Sequence, residues 1–148
     1  MQQNFKTAKE VSEHLLEVTG TAFMSGDFEL FLSCFHLPYE LETFEGHRTI
    51  KDVNDLKEVY LAVRAHYARN GVSQMYRHCV EARFRDSDTV IATHETRLLS
   101  GNVITQAPFA VYSELRFTGG KWVIVSSSYA IGDRDDHNKA LLGRASAV

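Results

Sequence analysis

Only two prolines and two cysteines occur in these 148 residues. Cys34 and Cys79 lie far apart with no CxxC pair, which argues against a disulfide framework and for two reduced core thiols in a cytoplasmic protein. Pro38 and Pro108 stand alone, and no Gly/Ser-rich stretch, repeat or low-complexity tract divides the chain. It therefore reads as one domain, 1–131, followed by a polar tail, 132–148. No apolar run approaches the length of a membrane-spanning helix, and the opening MQQNFKTAKE has no apolar core of a secretory signal. A basic excess is missing too. The formal net charge is -3, and no lysine or arginine cluster offers the footprint that nucleic acid requires. Neither nucleic acid nor a membrane is expected as a partner.

Catalytic and cofactor motifs are equally sparse. The seven histidines include no HxH or HxxxH pair, so no local metal site is expected. No GxGxxG or GxxxxGK follows a strand pattern, and no cofactor is expected. The run Ser126–Ser128 lacks the glycine-flanked turn of a nucleophile elbow.

What is present is clear periodicity in a chain of ordinary globular composition, 44% hydrophobic and 24% charged. Thr7 and Glu10 form a capping-box pattern, after which Ala8, Val11, Leu15, Val18 and Ala22 mark one helical face. Gly26 ends that helix, and Asp27 can cap a short second one through FELFLS. Phe35, Leu37, Tyr39 and Leu41 then alternate with polar residues, a strand that Pro38 confines to an edge or a bulge. A third helix is predicted after Thr49, its stripe made by Val53, Leu56, Val59, Tyr60, Val63 and Tyr67, with Asn70-Gly71 as the stop. From Ser73 to Ile131 four β-rich segments are separated by RDSD, SGN and TGG, which predicts antiparallel hairpins. Segregated helices and strands mean an α+β fold: three N-terminal helices on a strongly bent, mainly antiparallel sheet that encloses a cone-shaped pocket.

This order resembles the nuclear transport factor 2-like superfamily. The segments GDFELFLSCF before the first strand, FEGHRTI before the long helix and GGKWVIVSSSYAI as the last strand carry the likeness, which is nearest to the SnoaL-like, polyketide-cyclase branch. The resemblance implies a pocket in the cone and a homodimer, but no single activity, because the fold serves isomerases, dehydratases, cyclases and non-catalytic adaptors. In the ketosteroid isomerases the stretch resembling LETFEG carries the catalytic aspartate. Thr43 occupies that position here, and a threonine cannot act as a base near neutral pH.

Strand alternation nominates the pocket residues. Tyr39 and Thr43 share the inner face of the first strand, with Glu40 and Glu42 outside. Tyr76, His78, Val80, Ala82 and Phe84 are expected inside on the second, with Arg77, Glu81, Arg83 and Arg85 outside. His94 is expected inside on the third, and Phe109 and Ser113 on the fourth. The last strand is apolar on both faces; the resemblance places Trp122, Ile124, Ser126 and Ser128 inside and Val123, Val125 and Tyr129 outside. Val123, Val125 and Tyr129, beside Tyr112, would then form an apolar outer patch suited to a homodimer. Across RDSD, His78 is expected opposite His94, with β-carbons about 4.5–5.5 Å apart, or diagonal to it if the loop is two residues longer. The two would serve either as a catalytic pair or as a hydrogen-bonded pair that holds two strands together. Two imidazoles that close disfavour double protonation, leaving a neutral general base. His78, His94 and Tyr39 are thus the candidate catalytic groups, and Thr43, Tyr60, Phe109, Ser113, Trp122, Ser126 and Ser128 the candidate ligand contacts. The expected function is binding of a small, largely apolar molecule, with cofactor-independent acid-base chemistry as one outcome. A protein-association module is the alternative.

Overall fold

The computed structural model describes residues 4–143. Helix α1, Ala8–Ser25, starts where Thr7 Oγ1 accepts the Glu10 amide at 3.1 Å. The Glu10 carboxylate closes the box on Lys6 N (3.3 Å) rather than on the Thr7 amide. Gly26 ends the helix in the left-handed region, φ 81°, where its N–H reaches Ala22 O, a conformation that a Cβ would strain. Asp27 caps the single turn α2, Phe28–Leu32, through the Leu30 amide. Strand β1, Phe35–Thr43, follows, and then β2, Gly46–Ile50, antiparallel to it. Sequence periodicity does not reveal β2, because five residues containing a glycine, a histidine and an arginine make a weak strand pattern.

Asp52 caps α3, Val53–Arg69, by accepting the Asp55 amide at 2.9 Å, so the helix begins three residues later than Thr49 suggests. The remaining strands are β3, Gln74–Asp86, β4, Thr89–Ser100, the two-residue β5, Val103–Ile104, β6, Phe109–Thr118, and β7, Lys121–Ala130. They form one sheet in the order β2-β1-β7-β6-β4-β3, antiparallel except for β1 beside β7. This is the α+β arrangement expected. Pro38 lies where the β1–β7 register breaks, between Phe35 and Glu40, so its missing amide falls in an irregular stretch of an inner strand.

Helices α1 and α3 cover the concave face. An aromatic group of Phe23, Phe31, Phe35, Tyr39 and Tyr60 fills the space beneath them, with Phe31 at 4.6 Å from Phe35 and 4.8 Å from Tyr60 between ring centres. A second cluster joins Val11 and Leu15 to Val90, Leu115 and Trp122 at the other end of the sheet. The segment read as a polar tail behaves differently. Asp135–Leu141 forms α4, whose His137, Ala140 and Leu141, followed by Leu142, are buried against the core. The packed body therefore continues past Ile131; residues 144–148 of that segment lie outside the described residues.

Two bulges decide which side chains look inward. In β3 the partner of Cys79 is His94 and the partner of Glu81 is Thr93, so Val80 is an extra residue. In β7 the partner of Leu115 is Ile124 and that of Glu114 is Ser126, so Val125 is extra. Because strand side chains alternate with period two, each extra residue exchanges the faces on one side of it.

Candidate functional site

Between α1, α3 and the sheet lies a cavity of about 40 Å³. That is room on the order of two or three waters. Its wall is apolar, built from Leu15, Phe23, Phe31, Leu56, Val63 and Ile124 among others, with a small polar set: Ser12, Thr19, Tyr39, Arg77, His94, Ser113, Ser127 and Tyr129. Of the residues nominated from sequence, Tyr39, His94 and Ser113 meet here.

The others do not. His78 is exposed on the outer face opposite Glu95, so the expected His78–His94 pair does not form. The Val80 bulge is the reason: N-terminal to it Tyr76 and His78 turn out, while Met75, Arg77 and Cys79 turn in. Ser126 and Ser128 also face outward, and Ser128 Oγ donates to Glu42 Oε1 at 3.1 Å. Tyr129 points in instead, one consequence of the Val125 bulge. Thr43 is buried at the β1–β2 turn, where its hydroxyl accepts the Glu45 amide. Tyr60 donates to Ala22 O at 2.6 Å within the aromatic cluster. Trp122 packs tilted against Phe117, and Phe109 packs edge-on to His137. None of the last four lines the cavity.

Arg77 is the residue that sequence reasoning missed. Its Nη2 donates to Leu16 O at 2.7 Å and to Thr19 Oγ1 at 2.6 Å. Thr19 in turn donates to Leu15 O, at 2.7 Å. Gly20 leaves the guanidinium room, since a Cβ there would stand 3.2 Å from Nη2. A glycine inside a helix costs about 1 kcal/mol relative to alanine, so this accommodation is not free. No hydropathy pattern would place an arginine inside; the only available signal was the odd glycine in the middle of an amphipathic helix.

Electrostatics in the cavity favour neutral neighbours. Burial first, then the Arg77 charge, lowers the His94 pKa to about 3, so its imidazole is neutral at pH 7. His94 is 6% exposed, and its Nε2 has no hydrogen-bond partner among the described residues. Burial raises Tyr39 and Tyr129 above the usual phenol range, so both keep their protons. Ser113 and Ser127 lie 3.3 Å apart between hydroxyls. The site can donate and accept hydrogen bonds and holds one cation. Among the described residues no group of three or more His, Cys, Asp or Glu is placed to hold a metal ion.

Solved structures match this architecture over most of the chain. An NTF-2 like protein of unknown function from Shewanella oneidensis superposes with a TM-score of 0.65 at 12% identity, covering 82% of this chain and 97% of that one. An NTF2-like protein with a cystatin-like fold from Novosphingobium aromaticivorans gives 0.65 at 20% identity, over 91% and 88% of the two chains. A ketosteroid isomerase-like protein from Erwinia carotovora atroseptica gives 0.61 at 20% identity, over 88% and 100%. No family model and no curated protein matches the sequence significantly. The chain has the nuclear transport factor 2-like fold. No helix among the described residues is long and apolar enough to cross a membrane.

Proposed function

We propose that this chain is a small-molecule-binding domain of the SnoaL-like kind, with its ligand seated in the cone against Tyr39, His94, Ser113, Ser127 and Tyr129. The observation that carries this reading is His94: a buried imidazole nitrogen without a partner, on the wall of a cavity that is otherwise mostly apolar. An unsatisfied buried polar atom costs about 1–3 kcal/mol, a cost that a ligand hydrogen bond would offset. Few well-placed polar groups on an apolar wall are the usual make-up of such sites. The cavity is tight as it stands, so anything larger than a few atoms must displace side chains. Leu16 and Arg77 line both the cavity and the open groove between α1 and β3, which makes them the thinnest part of the wall.

His94 suits recognition better than proton abstraction. A base whose conjugate acid sits near pH 3 is poorly matched to neutral solution. Tyr39, still protonated, is a hydrogen-bond donor. An isomerase, dehydratase or cyclase reaction without cofactor would need the ligand itself to raise His94.

Replacing His94 with leucine separates these roles. His94→Leu removes an orphaned polar atom, and should raise the melting temperature by about 2–6 °C while abolishing the response of the wild type to benzamide in NMR titration. A fall in stability would make His94 a structural strut and sink the reading. Native mass spectrometry of the purified protein should also show a retained small molecule.

The small cavity favours a second reading, in which the fold is an association module that dimerises through the outer face of the sheet. Three of the four residues expected at that interface are withdrawn: Val123 and Val125 are already buried within the chain, and Tyr129 faces the cavity. Tyr112 remains, 53% exposed. Sedimentation should then find a dimer that Tyr112→Lys converts to monomer; a monomeric wild type at micromolar concentration removes this alternative.

A further inference from the structure

Five arginines, Arg48, Arg85, Arg97, Arg116 and Arg134, each pair with a carboxylate. Arg64, Arg69, Arg77 and Arg83 form no such pair among the described residues, and of these four only Arg77 lines the cavity. Its hydrogen bonds go to a carbonyl and a hydroxyl, both through Nη2, and Nε and Nη1 make none among the described residues. Among the described residues no Asp or Glu lines the cavity, and Arg77 is the one charged side chain there. Glu13 and Glu17 line the neighbouring groove, but Glu13 Oε1 is committed to the Cys79 amide at 3.0 Å. Arg77 is half-buried, and a partly desolvated cation without a hydrogen-bonded carboxylate gains from an anion that completes it.

We propose, resting on the cavity reading above, that the ligand carries a carboxylate which seats on the Arg77 guanidinium with its apolar body among the phenylalanines. The free donors Nε and Nη1 lie on different sides of the guanidinium, because both of its paired edges include the committed Nη2, so a carboxylate oxygen would take one charge-assisted bond from one of them. A dianionic phosphate fits less well, since no second cation among the described residues lines the cavity. His94 belongs to the same subsite. Arg77 stands opposite Thr96 and Cys79 opposite His94, so Arg77 and His94 are diagonal neighbours on the inner face. The unpartnered Nε2 is then the natural second contact for the anion or for a polar group beside it.

The test compares matched probes on the whole chain by NMR titration: benzoate, its neutral isostere benzamide, and phenyl phosphate. Benzoate should bind the wild type at least about tenfold more tightly than benzamide, as a charge-assisted hydrogen bond requires. Arg77→Met should bring the two within about twofold, chiefly by weakening benzoate, and Arg77→Lys, retained in case the methionine variant does not fold, should keep a weakened preference. Equal binding of benzoate and benzamide to the wild type would overturn the carboxylate and leave the cavity reading standing. A preference that survives Arg77→Met would overturn the assignment to this arginine. Tighter Arg77-dependent binding of phenyl phosphate would overturn the carboxylate class. If none of the three probes perturbs cavity resonances, both the proposal and the cavity reading fall.

Discussion

Acidification from pH 7.5 to pH 5 is expected to remove about 4–6 kcal/mol of folding stability, from three buried histidines that the native state holds neutral. Burial is the first cause in each case, and it lowers His66 to about 4, His94 to about 3 and His137 to about 3. His66 and His137 stack with ring centres 4.7 Å apart, so each would also oppose the other's protonation. Asp136, 3.7 Å from His66 Nδ1, acts the other way, and Arg134 and Arg69 add to the depression. The direction follows from proton counting. An unfolded histidine takes up its proton near pH 6.5, whereas these remain neutral until pH 3–4. The unfolded chain therefore binds more protons throughout that window, and stability falls as pH falls. Each group contributes about 2 kcal/mol of loss by pH 5, being 1.5 units below the unfolded value. Asp136, held near 2 chiefly by its hydrogen bond with Arg134, adds a loss only below about pH 4. Urea midpoints at pH 7.5 and 5.0 measure the effect. His137→Leu should flatten the slope by about one proton, and an unchanged midpoint between the two pH values would refute the burial of all three groups.

Removal of everything after Gly132 is expected to leave a chain that no longer folds cooperatively. Leu141 and Leu142 are 3% and 2% exposed, and burying each contributes about 1.5–3 kcal/mol. The loss would also bare the faces of Tyr67 and Phe109, against which the His137 ring packs at 5.6 and 5.4 Å. Three ties go with it: Arg134 Nη2 to Asn70 Oδ1 at 2.7 Å, Arg48 Nη1 to Leu142 O at 2.7 Å, and Asn138 Nδ2 to Ile131 O at 2.9 Å. The sum is comparable to the whole stability of a small domain, about 5–15 kcal/mol. Circular dichroism and urea unfolding of the 1–132 chain check this directly. A cooperative transition at the full-length midpoint would mean that α4 merely rests on the surface. Leu142→Ala alone should cost about 2–5 kcal/mol.

The same segment shows where sequence reading runs out. Its opening GDRDDHNK looks solvated, and only two leucines hint at a buried face; a seven-residue helix is too short to display a period. By contrast α1 and α3 were legible because their apolar stripes run for four turns or more and their caps are chemically explicit in Thr7, Gly26 and Asn70-Gly71. The inner faces of β1, β4 and β6 were legible as well, since Leu41, His94 and Val111 sit on strands whose alternation is unbroken through those positions. β3 and β7 were not. Their bulges leave no mark in composition, and Tyr76 and Val80 advertise an interior that they do not occupy, being 58% and 59% exposed. Hydrophobicity was misleading there because the inner position went to Arg77, a placement that local energetics alone does not favour.

The extra residue Val80 has a bearing on how this chain can be set beside others. Against a strand that lacks the extra residue, a correspondence that runs through β3 without a gap at position 80 lines up wall positions of one protein with solvent positions of the other. An arginine at the column of Arg77 would then be judged a surface charge, and a histidine at the column of His78 a pocket residue. Deleting Val80 would have the same consequence in the molecule itself. It would turn Tyr76 and His78 toward the helices and Arg77 outward, exchanging which side chains of β3 face the interior while every remaining residue keeps its identity.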